Sequence, residues 1–513
     1  MSPEEIRATL EVVEVVRPGL LAVLPVFLVA AFGVFALIAD LLEQGTTRGP
    51  AEGEGGSSLA APVLCLIGTL LGLGAVAWQA LRYDRVAGTW WSGAITIDGF
   101  GLFLAAVILS ATLLTLLLTI GYCRRQNIDM AEYYHLIMMS ATGMLLLAQS
   151  TNLVTLFMAL ELMSLPVYVL TGFRRRYARS IEGALKYFVL GAFSTGFFVY
   201  GIAFLYGATG TMDLVEMAGR LALGQVDPLL LAGVGLVLIG LGFKVALVPF
   251  HMWSPDVYEA APSPITGFMA TGVKAAGFAA LARVVMATFE LVGGEWKTIL
   301  WVLAVLTMFV GNVAAIRQDD IKRMLAYSSI AHAGYLVVAI LAHSEAGTAA
   351  FLYYLAAYTL MTLGAFGVVT VLGERGRENT SISRDYAGLG YREPLLGAAM
   401  ALFMFSLTGI PPTAGFFGKF TIFAAAVDAG YVVLAVLMVI ASVISAYYYL
   451  KVVVAMYMRA PEREPIRSTT TALAGIALLV ATIGVLALGI FPGGWIDLAR
   501  ASANGMAVLA GVP

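Results

Sequence analysis

The sequence predicts an all-α polytopic membrane protein of about 14 transmembrane helices, arranged as two inverted five-helix repeats with broken helices in spans 7 and 12. Three observations predict it. First, the 513-residue chain is 60% hydrophobic and only 12% charged, and its apolar runs reach the roughly 20 residues that cross a bilayer as a helix. Second, lysines sit inside some of these runs beside prolines. Third, the buried charges recur along the chain at a nearly constant spacing. Helices are expected rather than a barrel because lipid offers no partner to open backbone groups, and barrel strands are alternating segments of only about 10 residues.

Taken in order, the spans centre near residues 30, 71, 111, 140, 162, 194, 240, 275, 307, 331, 360, 410, 443 and 481. Residues 1–130 hold spans 1–3, with EQGTTRGPAEGEGGSS (43–58) as a flexible linker. Residues 131–290 form the first five-helix repeat, 298–458 the second, inverted one, and 468–513 a C-terminal helix and tail. The acidic start MSPEEIRATLEVVEVV has the wrong charge for a signal peptide. Loops numbered from the first span alternate in charge: the odd ones hold 17 Lys/Arg, the even ones and both termini 7. The positive-inside rule therefore puts both termini on the periplasmic side.

Net charge is −2 and no long basic block exists, which argues against nucleic acid as a partner. Cys65 and Cys123 have neither disulfide-framework nor metal spacing and read as small core residues. The four histidines lack metal-ligand spacing, and no phosphate-binding loop or redox motif is present.

Six of the thirty basic residues fall inside spans: Lys186, Lys244, Lys274, Arg283, Lys419 and Lys451. Lys186, one turn from Glu182, and Arg283 lie near span ends, where snorkelling or an interfacial pair accounts for them. Lys244, Lys274 and Lys419 lie near mid-span, as do Glu161 and His332. A charge at the bilayer centre costs at least about 2.5–3.5 kcal/mol, so several in one chain point to an interior use.

These groups fall into register. Glu161 maps on His332 with an offset of 171, Lys244 on Lys419 with 175 and Lys274 on Lys451 with 177. Five spans per unit is an odd number, so the second copy is upside down. Pro249 in LGFKVALVPFHMW should open its helix after Lys244, because it lacks an amide donor and clashes with the carbonyl of Val245. Pro411 and Pro412 in LTGIPPTAGFFGKF do the same ahead of Lys419. Broken helix at depth is tolerated where it is buried in protein or lines a wet cavity, so a lysine beside a break reads as part of a hydrated path. Two plainer readings stand beside this one: prolines that make packing kinks, and lysines in structural ion pairs.

Glu161, Lys244, Lys274, His332 and Lys419 thus form a file able to take and release protons. Desolvation weakens an ammonium's hold on its proton, whereas a carboxylate about 4 Å away strengthens it by about 4 kcal/mol at an effective dielectric of about 20. Moving the carboxylate switches the lysine between holding and releasing, and Glu161 is the expected partner of Lys244. His251, beside the break, either relays a proton or bonds the freed carbonyls.

The strings NLVTLFMALELMSLPVYVLTGFRRR, GFKVALVPFHMWSPDVYEAAPSPITGFMATGVKAAGFAALAR, GNVAAIRQDDIKRMLAYSSIAHAGY and TGIPPTAGFFGKF resemble the N-type membrane subunits of proton-pumping NADH:quinone oxidoreductase, respiratory complex I. Related to these are the L and M types and the Mrp-type antiporters. The resemblance covers roughly residues 20–495. It implies a central hydrophilic axis of Glu161, Lys244, Lys274 and Lys419; His332, His251 and Lys451 are further relay candidates read from the residues themselves. It also implies a subunit that translocates protons while electrons pass from NADH to quinone elsewhere. No cofactor is expected on this chain; NAD, FMN, iron-sulfur clusters and quinone belong to partner subunits. The expected surroundings are the bacterial plasma (inner) membrane and the M and K subunits. The rival readings are an Mrp-type Na⁺/H⁺ antiporter or membrane-bound hydrogenase subunit, and a non-translocating scaffold.

Overall fold

A computed structural model describes residues 19–47, 59–91, 93–223, 227–288, 295–374, 378, 380–461 and 468–509. The chain runs through helices α1 (Leu24–Thr47), α2 (Ala60–Leu81) and α3 (Tyr83–Val86), then a hairpin of β1 (Gly88–Trp90) and β2 (Ile95–Ile97). There follow α4 (Gly99–Gln126), α5 (Ala131–Gln149), α6 (Leu153–Thr171), α7 (Ala178–Thr209), α8 (Leu214–Leu223), α9 (Pro228–Lys244) and α10 (Trp253–Ala260). Next come α11 (Ser263–Phe268), a π-helical turn (Met269–Val273), α12 (Lys274–Thr288), α13 (Glu295–Ile316), α14 (Ile321–Leu341) and α15 (Glu345–Leu372). The chain ends with α16 (Leu389–Arg392), α17 (Pro394–Thr408), α18 (Ala414–Asp428), α19 (Val432–Met458), α20 (Ala472–Ile490) and α21 (Pro492–Leu509). Among the described residues, 11 helical segments are long and apolar enough to cross a membrane.

Six of the helices begin where the sequence supplies a side-chain cap. Asp98, Asn152, Asp227, Asp320, Ser344 and Thr471 each accept a bond from a backbone amide of the first turn. Two of these caps do more. Asn152 pairs with Asp213 and Asp320 with Ser381 in isolated antiparallel bridges, each partner lying the same distance further along the chain.

Burial sorts the helices into centre and rim. Residues 263–285 are all buried; the most apolar 18 residues of α14 are 94% buried and those of α15 89%, whereas those of α7 are 33% buried and show apolar side chains outward. The centre is therefore α11–α12, α14 and α15. Close approach there depends on glycine: a Cβ on Gly311 of α13 would lie 2.7 Å from the Ala331 amide nitrogen of α14.

Both expected breaks are present, between α9 and α10 and between α17 and α18. The expectation that Pro249 itself opens the first is corrected, because α9 has already ended. Ala246 takes a left-handed φ of 60°, its amide donates to Phe243 O, and the Leu247 amide donates to Gly242 O at 2.8 Å. This is a Schellman cap, normally made by glycine. In the second break Gly409 fills the same position, at φ 93°, with Ile410 donating to Phe405 O. The Val248–Pro249 and Pro411–Pro412 peptides are cis.

Three further expectations change. The linker drawn at 43–58 begins later, since α1 continues to Thr47; the remainder lies outside the described residues. The tail after span 14 is itself a helix, α21, packed on α4 and α15. Arg283 does not snorkel: it is 2% exposed and grips Asp98 with two bonds of 2.8 Å while its Nε donates to Ala148 O.

Candidate functional site: a file of buried cations

Lys244 is the last residue of α9, where the helix dipole favours a cation. It is 4% exposed, and its Nζ donates to Ser164 Oγ at 2.6 Å, with the rings of Tyr168 and Tyr187 at 5.7 and 5.6 Å. The groups freed by the break have found protein partners. Trp253 Nε1 donates to Phe243 O, and the Val248 amide donates to Thr307 Oγ1 on α13. Water is therefore not needed at those two positions, contrary to expectation.

Glu161 lies one turn before Ser164 on α6 and accepts from Thr195 Oγ1 of α7 at 2.8 Å. Among the described residues Glu161 and Lys244 do not form an ion pair; each is held by its own hydroxyl. Glu161 shares one face of α6 with Ser164 and Tyr168, the two residues on that helix that contact Lys244.

Lys274 starts α12 directly after the π-helical turn, a wide turn of the kind found at functional sites. Its Nζ donates to the carbonyl and the hydroxyl of Ser329 on α14, and the residue is 2% exposed. On the next turn of α14 His332, 1% exposed, has both ring nitrogens bonded: Nδ1 to Tyr354 Oη and Nε2 to Tyr449 Oη.

Lys419 lies beyond its break, on α18, whereas Lys244 lies before its own. Its Nζ nevertheless reaches back to Leu407 O at 2.9 Å and Thr408 O at 2.8 Å, the free carbonyls ending α17, and to Ser442 Oγ at 2.9 Å. Leu407 holds the place before the cap that Lys244 holds in α9. Equal offsets between lysines are thus replaced by an ammonium returned to the same spot from the other side of the break.

The two remaining candidates lie apart. Lys451 donates to Gln318 O, just past the end of α13, and is only partly buried. His251 sits in the first break, its Nδ1 buried and, among the described residues, without a hydrogen-bond partner.

One cluster escaped the sequence reading. Glu378, in the loop after α15, is 8% exposed and accepts from Lys322 Nζ at 2.7 Å, Tyr122 Oη at 2.6 Å, and the Ser263 amide and hydroxyl at 2.9 Å. Arg174 adds an ion pair at 3.3 Å. Burial would raise this carboxyl, but the Lys322 and Arg174 cations and the bonds from Lys322 and Tyr122 bring it down to about 2. No sequence signal marked it, since an acidic residue in a charged loop reads as solvated.

Residues 150–445 match the family described as NADH:quinone oxidoreductase/Mrp antiporter, TM. The NADH-quinone oxidoreductase subunit N 1 of Herpetosiphon aurantiacus is 48% identical over 442 residues, which are 84% of this chain and 89% of that one. A chain of respiratory complex I from Thermus thermophilus with bound aureothin is 37% identical, with a TM-score of 0.77 over 93% of this chain and 100% of its own. A chain of the Mrp complex from Dietzia sp. DQ12-45-1b shares the fold at 20% identity, with a TM-score of 0.81 over 96% of this chain and 100% of its own.

Proposed function

From the premise that the chain belongs to the NADH:quinone oxidoreductase/Mrp antiporter transmembrane family, among the N subunits of NADH-quinone oxidoreductase, we propose that it carries protons along Glu161, Lys244, Lys274, His332 and Lys419. It is a membrane-arm, proton-translocating subunit of that oxidoreductase. Electrons pass from NADH to quinone on partner subunits, which hold the NAD, FMN, iron-sulfur and quinone sites, and the M- and K-type subunits are its neighbours in the arm.

The observation that carries the reading is the partnering of the lysines. Lys244, Lys274 and Lys419 are at most 8% exposed, and among the described residues each Nζ bonds only neutral oxygens. A structural cation at this depth is normally paired with a carboxylate, because an unpaired one costs several kcal/mol. A group whose task is to gain and lose a proton is better served by neutral acceptors.

Fourteen crossings follow if α5 and the two broken units, α9–α10 and α17–α18, join the 11 long apolar segments. The paired bridges and paired caps support the two inverted repeats, 131–290 and 298–458. Termini on the periplasmic side of a bacterial plasma membrane fit the loop charges. In the cycle, quinone reduction drives Glu161 toward and away from Lys244. The arrangement described above, with Glu161 on Thr195 and Lys244 on Ser164, is the separated state. Separation loosens the Lys244 proton, which moves on toward Lys274 and Lys419.

Glu161→Gln keeps the Thr195 bond but removes the charge. The expected result is quinone reduction and proton pumping lowered together, on the order of tenfold, in a complex that still assembles. Undiminished proton flux in reconstituted vesicles would remove Glu161 from the mechanism.

A further inference from the structure

The lysine file leaves a stretch unaccounted for between Lys274 and Lys419, which sit on different helices with His332 between them. The side chains bonded to His332 are tyrosine hydroxyls, and their bonds join into a chain. Tyr449 Oη of α19 bonds His332 Nε2 at 2.9 Å and, on its other side, Ser328 Oγ. Tyr354 Oη of α15 bonds Nδ1. The Tyr354 ring lies against Gly418, where an added Cβ would meet it at 2.5 Å, one residue before Lys419. At the opposite end Ser328 is the chain neighbour of Ser329, which holds the Lys274 ammonium. The two serines are consecutive on α14, so a single peptide unit separates the residue bonded to Tyr449 from the residue that holds Lys274.

We propose that Ser328, Tyr449, His332 and Tyr354 form a hydroxyl–imidazole wire that carries protons between Lys274 and Lys419, with Tyr449 and Tyr354 as its relay residues. The proposal rests on the reading that the two lysines lie on one proton path.

The bonding is what a relay requires. In a neutral imidazole one ring nitrogen donates and the other accepts, so with both nitrogens bonded to hydroxyls one tyrosine gives its hydrogen bond to the ring and the other receives one. The Lys274 ammonium gives a proton through Ser329 to Ser328 as Ser328 passes its own to Tyr449. Tyr449 passes its proton to Nε2, Nδ1–H passes to Tyr354, and Tyr354 passes its own to a neutral Lys419 amine. Each hydroxyl gives one proton and gains one, and the imidazole ends in its other tautomer. No tyrosinate accumulates, and the wire resets when the hydroxyls rotate and the imidazole ring flips, returning its N–H to the Tyr354 side. Tyr354 on α15 and Tyr449 on α19 are both buried, and neither hydroxyl is needed to cap a helix end.

The test uses the assembled complex in inside-out membrane vesicles, with NADH-driven proton uptake and quinone reduction measured in H₂O and in D₂O. Tyr449→Phe and Tyr354→Phe keep the ring and delete the hydroxyl. Both are expected to lower pumping at least about tenfold and to raise the solvent isotope effect on turnover, since proton transfer then limits the rate. Tyr353→Phe, whose lost hydroxyl bonds Leu488 O away from the wire, is expected to leave both readouts unchanged. Ser328→Ala serves if a tyrosine variant fails to assemble, and the same losses are expected of it. Wild-type pumping and isotope effect in the tyrosine variants, with Lys274→Ala and Lys419→Ala inactive, would overturn the wire and leave the lysine path standing. Silent lysine variants would instead overturn the path on which the wire rests.

Discussion

Lys419→Ala is expected to lower NADH-driven proton pumping at least about tenfold in a complex that assembles normally. Its Nζ holds two free carbonyls at the end of α17 and Ser442, and among the described residues it has no carboxylate partner. Removing it therefore strips no counter-charge from a neighbour, and the loss falls on transfer rather than folding. Lys419→Arg sharpens the point. Arginine restores the positive charge but does not release its proton in proteins, so a site that only needs charge is rescued and a site that must titrate is not. The expected outcome is failure of both variants, read as proton uptake by inside-out vesicles. Rescue by arginine would reduce Lys419 to an electrostatic anchor.

Glu378→Ala is expected to act on stability instead. Glu378 balances two buried cations, Lys322 at 0% exposure and Arg174 at 7%. Breaking a buried pair by removing one partner costs about 3–5 kcal/mol, because the charge left behind is uncompensated. Little assembled complex should then be recovered, and what remains should melt lower. The pH dependence has a defined sign. A carboxyl held at about 2, against an ordinary 4.5, contributes stabilisation that is fully present above pH 4.5 and is lost as pH falls through about 2. The stability difference between wild type and Glu378→Gln in detergent should therefore shrink as pH is lowered through that window. A difference independent of pH would show that the carboxylate charge is not what stabilises the loop.

What the sequence made legible follows from how strongly each feature departs from lipid-compatible composition. A lysine or a proline within an apolar run is conspicuous, so Lys244, Lys274, Lys419 and both breaks could be named in advance. How the breaks are built was not legible, because the Schellman cap at Ala246 uses a residue without the usual glycine signature. The register of Lys419 was misjudged for a geometric reason: the offset between Cα positions does not report where a long flexible side chain delivers its ammonium. Neutral hydroxyls such as Ser328, Tyr354 and Tyr449 are unremarkable in membrane helices, and only the folded arrangement joins them to His332. Arg283 and Asp98 are 185 residues apart, and Asp98 is indistinguishable in sequence from a loop residue beside a short hairpin. Strands of three residues, such as β1 and β2, are too short to carry a pattern.

The most direct test of the central claim is the simultaneous measurement of quinone reduction and proton uptake in vesicles carrying Lys244→Met. Methionine fills the space at the end of α9 and leaves Ser164 without its ammonium. If this chain moves protons through Lys244, both rates fall together by at least about tenfold at normal assembly. Wild-type quinone reduction with wild-type proton uptake would contradict the account.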